Sequence, residues 1–202
     1  MNQRERMLAG LPYKGSLDGL REERMETRLK IYDYNLLRPN ETEKMDELIR
    51  DILGKTDEKI TVKQPFNCDY GKNIQVGNNF FANYNCTILD IGRVIIGENV
   101  RVAPNVSIYT AGHPIHPLSR NSGYEYGIEV IIGDNVWLGG SVVINPGVKI
   151  GNNVVIGSGS VVTKDIPDNV IAAGNPCKVI REITEEDRKY HYKDKEFDIQ
   201  DY

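Results

Sequence analysis

The chain is short of several things at once: among 202 residues there are three cysteines, three histidines, one tryptophan and no long apolar run. A helix crossing a bilayer needs roughly 20 apolar residues, and no stretch approaches that, so no membrane partner is expected. Met1 to Met7 are polar and charged and lack the apolar core of a secretory signal, so a cytoplasmic protein is expected. Cys68, Cys86 and Cys177 are odd in number and widely spaced. That suits reduced thiols and matches no zinc template, so no metal is expected. Excess positive charge is missing as well. The formal net charge is -4, which gives no reason to expect nucleic acid or an anionic membrane surface. There is neither a Ser-His-Asp grouping nor a Gly-x-Ser-x-Gly elbow, which disfavours an acyl-enzyme on serine.

What is present divides in three. Residues 1–60 read as a helical segment. Met25, Leu29, Tyr32 and Leu36 fall at helical spacing with charges between them. After Pro39, Asn40 is placed to cap a second helix with Glu43 three positions on. Met45, Leu48, Ile49, Ile52 and Leu53 form its apolar stripe, and Gly54 ends it. Both stripes need another surface to cover.

Residues 61–183 follow a different rule. Ile132, Leu138, Ile144, Ile150, Ile156 and Val162 stand six apart, and Val136, Val142, Val148 and Val154 follow the first four of them by four. Ile96, Val102 and Ile108 repeat the arrangement, while Val76, Ala82 and Ile88 are out of phase with it by two residues. A period of six fits neither a helix nor a simple strand. It fits a short strand and a tight turn, repeated, with one aliphatic pointing inward per repeat and Gly, Asn or Asp at the corner. Three such sides close a triangular coil, and coils stack at about 4.8 Å through backbone hydrogen bonds. A β-sandwich would show irregular spacing and alternation by two. The expected fold is therefore mainly β, a parallel β-helix of hexapeptide repeats.

Residues 109–130 interrupt the rows with Gly112, His113, Pro114, His116, Pro117 and Gly123, and read as a loop extruded from the coil, where function concentrates. His113 is the one candidate base there. Histidine is neutral and able to accept a proton near neutrality, although a loop histidine can equally serve only to bond a carbonyl. His116 and His191 read as structural. Trp137 follows the inward Val136, so its side chain is expected to point outward, and a large exposed aromatic calls for something to cover it. Residues 184–202 form a charged tail in which Thr184 and Asp187 mark a short capped helix that can cover an open end of the coil.

The hexads, Thr110-Ala111-Gly112-His113-Pro114, Asn135-Val136-Trp137-Leu138-Gly139 and Gly174-Asn175-Pro176-Cys177-Lys178-Val179 together resemble the maltose and galactoside O-acetyltransferases, members of the hexapeptide-repeat acyltransferases. The resemblance extends to the helical start Met7-Leu8-Ala9-Gly10 and covers nearly the whole chain. It implies a left-handed coil, a homotrimer with active sites between subunits, acetyl-coenzyme A as co-substrate, and transfer of its acetyl group to a sugar hydroxyl. It further implies His113 as the general base, and Asn83 as the residue that orients the acceptor and steadies the transition state. Asp69, Phe81, Asn83 and Glu125 match acceptor-pocket positions. Trp137 matches a tryptophan that packs on the pantetheine arm, although packing between subunits would also cover it. Gly140 matches a backbone N–H that donates to the thioester oxygen. Ser158, Thr163 and Lys164 match further contacts to coenzyme A, and Lys178 and Arg181 match cationic contacts to its phosphates. Where the family usually has arginine, this chain has Lys178. Asp69, Phe81, Ile91 and Glu125 differ from the galactoside enzymes, and Gly15 stands where those have an aspartate, although Asp18 is nearby. The acceptor is thereby closer to that of the maltose-type enzymes, with glucose, maltose, galactosides and other hydroxylated or amino sugars open.

Three rival functions meet specific objections. Serine acetyltransferases carry a much longer helical N-terminal domain. A zinc hydratase of the γ-carbonic anhydrase kind needs three histidines on one metal, and only His113 and His116 are close in sequence. A non-enzymatic scaffold leaves Trp137, His113 and the basic turn without a purpose.

Overall fold

The computed structural model describes residues 1–199, so the last three residues of the expected tail lie outside the described residues. From Lys55 to Ala173 the chain winds into a parallel β-solenoid with three sheets as its sides. The first sheet stacks Lys55–Thr56, Ile74–Val76, Val94–Ile96, Val130–Ile132 and Lys149–Ile150. The second stacks Ile60–Val62, Phe80–Ala82, Arg101–Val102, Trp137–Leu138, Val155–Ile156 and Val170–Ala173, and the third runs from Phe66–Cys68 through Cys86–Leu89, Ser107–Tyr109 and Val143–Ile144 to Val161–Val162.

The rows of six are the inner wall. Ile132, Leu138, Ile144, Ile150, Ile156 and Val162 are each no more than 2 % exposed, and the out-of-phase Val76, Ala82 and Ile88 are buried with them. Pairing explains the offset. Val76 lies beside Ile96, Ala82 beside Val102 and Ile88 beside Ile108, so this coil takes twenty residues where one beyond the loop takes eighteen, as between Leu138 and Ile156. The two extra residues sit at the corner joining the third sheet to the first, between Leu89 and Val94. One coil on, the same corner extrudes the loop. There Ala111–Gly112 pairs antiparallel with Tyr126–Gly127, and a short helix spans Pro117–Asn121. The opposite corners are made by asparagine. Asn79, Asn99, Asn135, Asn153 and Asn169 adopt φ between 55° and 59°, a left-handed conformation asparagine tolerates. Their side-chain amides bond one to the next up the stack at 2.7–3.1 Å.

Three helices precede the coil: α1 (Gln3–Leu8), α2 (Leu20–Leu36) and α3 (Thr42–Ile52). The stripe expected on α3 is the one that packs: Ile49, Ile52 and Leu53 are buried in the main core, with Met45 and Leu48 against it. The Asn40 cap does not form. Glu41 precedes the helix, and its carboxylate instead accepts from the Arg38 N–H at 2.9 Å. Gly54 follows the helix for reasons of space, since a Cβ there would lie 2.1 Å from the Lys72 carbonyl oxygen. On α2 the expected face is the wrong one. Met25, Leu29, Tyr32 and Leu36 are 48–65 % exposed, and the buried face is Leu20, Thr27, Ile31 and Tyr34. The coil's first turn offers backbone acceptors with no strand beyond them, so the helix side that docks is the one carrying donors. Tyr34 Oη donates to the Val62 carbonyl at 2.6 Å and Thr27 Oγ1 to that of Tyr70 at 3.0 Å. Asn35 completes a two-way pair with the backbone of Phe66 at 2.9 Å each way.

At the other end, Lys178–Glu182 turns back antiparallel on Val170–Ala173. Thr184 and Asp187 form the expected capping box, around a 3-10 turn from Glu185 to Lys189. The tail beyond it is exposed and pairs with itself as a small hairpin, Tyr190–Tyr192 with Lys195–Glu196. No helix among the described residues is long and apolar enough to cross a membrane.

Leu138 is fully buried with Val102 and Ile156 as its coil-to-coil neighbours. Leu138→Ala should lower unfolding free energy by about 2–5 kcal/mol, read by chemical denaturation.

Candidate active site

The widened corner between the third and first sheets collects charge that the rest of the coil excludes. Asp90 interrupts the aliphatic lining and is fully buried. One carboxylate oxygen accepts from the N–H groups of Asp69 and Tyr70 in the coil below, each at 2.9 Å, and the other has no partner. Burial pushes its pKa up to about 7, partly offset by those two N–H donors. Thr110 ties the same corner upward, donating to the Leu89 carbonyl at 2.6 Å and accepting from the Gly92 N–H at 2.8 Å.

From either side of this floor the Asp69 and Glu125 carboxylates act on each other. Burial raises the Asp69 pKa, the Arg24 guanidinium lowers it and the Glu125 carboxylate raises it again. Arg24 lies 5.9 Å from the centre of the Tyr70 ring and 3.4 Å from the Gly15 carbonyl oxygen. Tyr13 and Tyr70 are fully buried side by side in a second small core with Met7, Leu20 and Ile91, and neither hydroxyl has a hydrogen-bond partner. Burial is the main reason the Tyr70 phenol is pushed up to about 12. Arg24, Tyr13, Tyr70 and Asp90 were not anticipated from sequence. The two-residue slip of the rows at this corner was the one signal that pointed here.

His113 follows the short ladder in which Gly112 faces Tyr126, so the register, continued one residue, sets it across from Glu125. Its ring is exposed and has no hydrogen-bond partner among the described residues. His116, just before the loop helix, is also exposed, and His191 Nδ1 lies 3.0 Å from the Glu196 carbonyl oxygen in the tail hairpin.

The remaining candidates lie elsewhere on the chain. Phe81, Arg101 and Trp137 form an outward row on the second sheet, and Trp137 is 54 % exposed. Asn83 begins the corner between the second and third sheets, where its Oδ1 accepts from the Tyr84 N–H at 2.8 Å. Gly139 and Gly140 stand two coils on at the same corner and differ in kind. A Cβ on Gly139 would lie 2.6 Å from the Ser158 nitrogen, whereas one on Gly140 would meet nothing closer than 3.5 Å. Packing within the chain therefore requires the first glycine and not the second. Ser158, Thr163, Lys164 and Lys178 are exposed. Arg181 is exposed but engaged, its guanidinium bidentate on Asp187 at 2.6 and 2.8 Å. One chain thus couples Asp69 with Glu125 at one edge of the third sheet, sets His113 across the loop ladder from Glu125, and leaves Asn83 and Gly140 at the other edge. Among the described residues no group of three His, Cys, Asp or Glu side chains is placed to hold a metal ion.

Comparison with known proteins settles the lineage. A family model described as "Bacterial transferase hexapeptide (six repeats)" matches residues 129–164, and one described as "Maltose acetyltransferase hexapeptide capping motif" matches residues 6–57. A putative acetyltransferase of Saccharomyces cerevisiae is 53 % identical over 184 residues, 91 % of this chain and 94 % of that one. The crystal structure of a maltose O-acetyltransferase from Clostridium difficile superposes with a TM-score of 0.90 at 52 % identity, over 92 % of this chain and 99 % of that one. A galactoside acetyltransferase in complex with coenzyme A gives 0.94 at 47 % identity, over 97 % and 98 %. The chain belongs to the maltose and galactoside O-acetyltransferase family of hexapeptide-repeat enzymes. In this family member the capping motif spans the helices that close the first coil, and the hexapeptide match falls on the coils carrying Trp137, Gly140 and Ser158.

Because Asp90 holds its proton more tightly folded than unfolded, the native state binds more protons between about pH 4 and pH 7, and stability falls as pH rises through that window. Asp90→Asn cannot ionise. Its stability should be flatter over the same range, as urea melts at the two ends of the window will show.

Proposed function

We propose that this enzyme moves the acetyl group of acetyl-coenzyme A to a hydroxyl of a sugar, of the maltose or glucose type, by direct attack in a ternary complex. The observation that carries the reading is the placement of an unpartnered imidazole, His113, on the loop edge across the ladder from Glu125, whose carboxylate in turn acts on Asp69. His113 takes the proton of the attacking hydroxyl, the oxygen bonds to the thioester carbon, and the C–S bond breaks as the proton passes on to the departing thiolate. Asn83, with its amide N–H₂ uncommitted, orients the acceptor and steadies the tetrahedral oxyanion, together with the N–H of Gly140. The empty space at Gly140 supports that role, because nothing inside the chain explains the missing side chain. Carboxylates at Asp69 and Glu125 accept from sugar hydroxyls, and Phe81 offers an apolar face to the ring.

Trp137, Ser158, Thr163 and Lys164 form the wall for the pantetheine arm, and Lys178 supplies a free cation for the phosphates. Arg181 reaches a phosphate only by exchanging its bond to Asp187. The width of the third sheet between His113 and Asn83 within one chain favours a homotrimer in which the loop edge of one subunit meets the Asn83 and Gly140 corner of the next. Acetyl-coenzyme A is the co-substrate, no metal is required by these steps, and a cytoplasmic setting supplies it.

His113→Ala should reduce turnover by about 10²- to 10⁴-fold, while calorimetry finds coenzyme A affinity within about twofold of the native enzyme. Retained turnover overturns the base assignment. Sedimentation should give three times the chain's mass; a monomer that turns over would refute the shared site.

A further inference from the structure

Residues 10–15, the arm between α1 and α2, run along the returning side of the extruded loop. A Cβ at Gly10 would touch both the Gly127 carbonyl oxygen and Ile128 Cδ1 at 3.4 Å. Tyr13 and Glu125 exchange both backbone hydrogen bonds, at 2.9 and 3.1 Å, as an isolated antiparallel bridge. Lys14 Nζ stands 4.9 Å from the centre of the Tyr124 ring. The Glu125 side chain then folds back over the arm. Its Oε1 lies 2.6 Å from where a Cβ on Gly15 would be, and Arg24 Nη1 and the Tyr13 ring lie 3.4 and 3.6 Å from the same point.

Two features of this contact point to Glu125. Gly15 is buried and its φ is not in the left-handed region, so the backbone does not call for glycine; the carboxylate occupying its side-chain space does. The Tyr13 side chain is fully buried, and its hydroxyl lies near the Glu125 carboxylate in a geometry that falls short of a hydrogen bond. Burial, and then that negative charge, drive the phenol well above its ordinary range. A buried hydroxyl with no partner is destabilising, so phenylalanine would serve the small core better.

We propose that Tyr13 and Gly15 are positioning residues for Glu125. Gly15 leaves the space that lets the carboxylate turn inward, and the Tyr13 hydroxyl is placed to close on one carboxylate oxygen when the other accepts from a bound sugar. The N-terminal arm thereby tunes acceptor binding without touching coenzyme A. This rests on the acceptor role of Glu125 proposed above.

The test uses the full-length enzyme with glucose, maltose and a galactoside as acceptors and thiol release as readout. Net hydrogen bonds of about 0.5–1.5 kcal/mol correspond to about two- to tenfold in binding. Tyr13→Phe should therefore raise acceptor KM about two- to tenfold, leave acetyl-coenzyme A KM within about twofold and not lower Tm, which a purely structural role would not do. Gly15→Ala should shift acceptor KM in the same direction, and Tyr13→Phe should add nothing in a Glu125→Gln background. If Glu125→Gln raises acceptor KM but Tyr13→Phe does not, the positioning role alone is overturned. If Tyr13→Phe lowers Tm and shifts both KM values alike, it is overturned likewise. If Glu125→Gln leaves acceptor KM unchanged, or no sugar is acetylated, the acceptor reading falls and takes this proposal with it.

Discussion

The structure depends on one repeated contact, a buried aliphatic stacked on the aliphatic of the next coil while the backbone on either side bonds across the same gap. Ile144 is fully buried and sits between Ile108 and Val162, and the Val143 and Asn145 N–H groups reach the carbonyls of Ser160 and Val162 at 2.9 and 3.0 Å. Each full side-chain burial stabilises by roughly 1.5–3 kcal/mol, and the backbone bonds fix the rise between coils. A side cannot lengthen without breaking both, so insertions go to corners. That is why the slip of two residues and the extruded loop share one corner.

The same economy explains the polar floor beneath the site. At that corner the lining residue is Asp90, whose oxygen caps two backbone N–H groups that the wider turn would otherwise leave bare. The turn one coil below carries Asp69, and the loop one coil above Asp90 brings Glu125 and His113 to the same corner. The N-terminal arm closes the arrangement from outside. A regular scaffold thus supplies the stiffness, and one irregular corner supplies the chemistry.

Most of the scaffold was legible because it repeats. The inward rows, the asparagine corners and the outward Trp137 follow from spacing alone. Helix α2 was misread because apolar count stands in poorly for docking when the receiving surface is an open coil end; Thr27 and Tyr34 won their places by donating hydrogen bonds. Asn40 lost its cap to a carboxylate with a local backbone partner. At the site, His113 stood out as a lone base in a break, and Asp69 and Glu125 were visible through family resemblance. Tyr13 and Arg24 were invisible, because a tyrosine in an arm and an arginine on a helix carry no local pattern, and only the fold brings them against Glu125.

The strand Lys178–Glu182 carries a further consequence. A solenoid with bare ends offers rows of unpaired N–H and C=O groups, and such edges recruit identical chains into open-ended fibres. Here the second sheet, the tallest, is terminated by a strand that runs the opposite way and bears charges at Lys178, Arg181 and Glu182. Its direction breaks the parallel template, so another coil cannot simply continue the stack. At the far end, helices α2 and α3 cover the first coil. Growth is thereby blocked along the axis, and sideways contact remains as the route by which copies can meet.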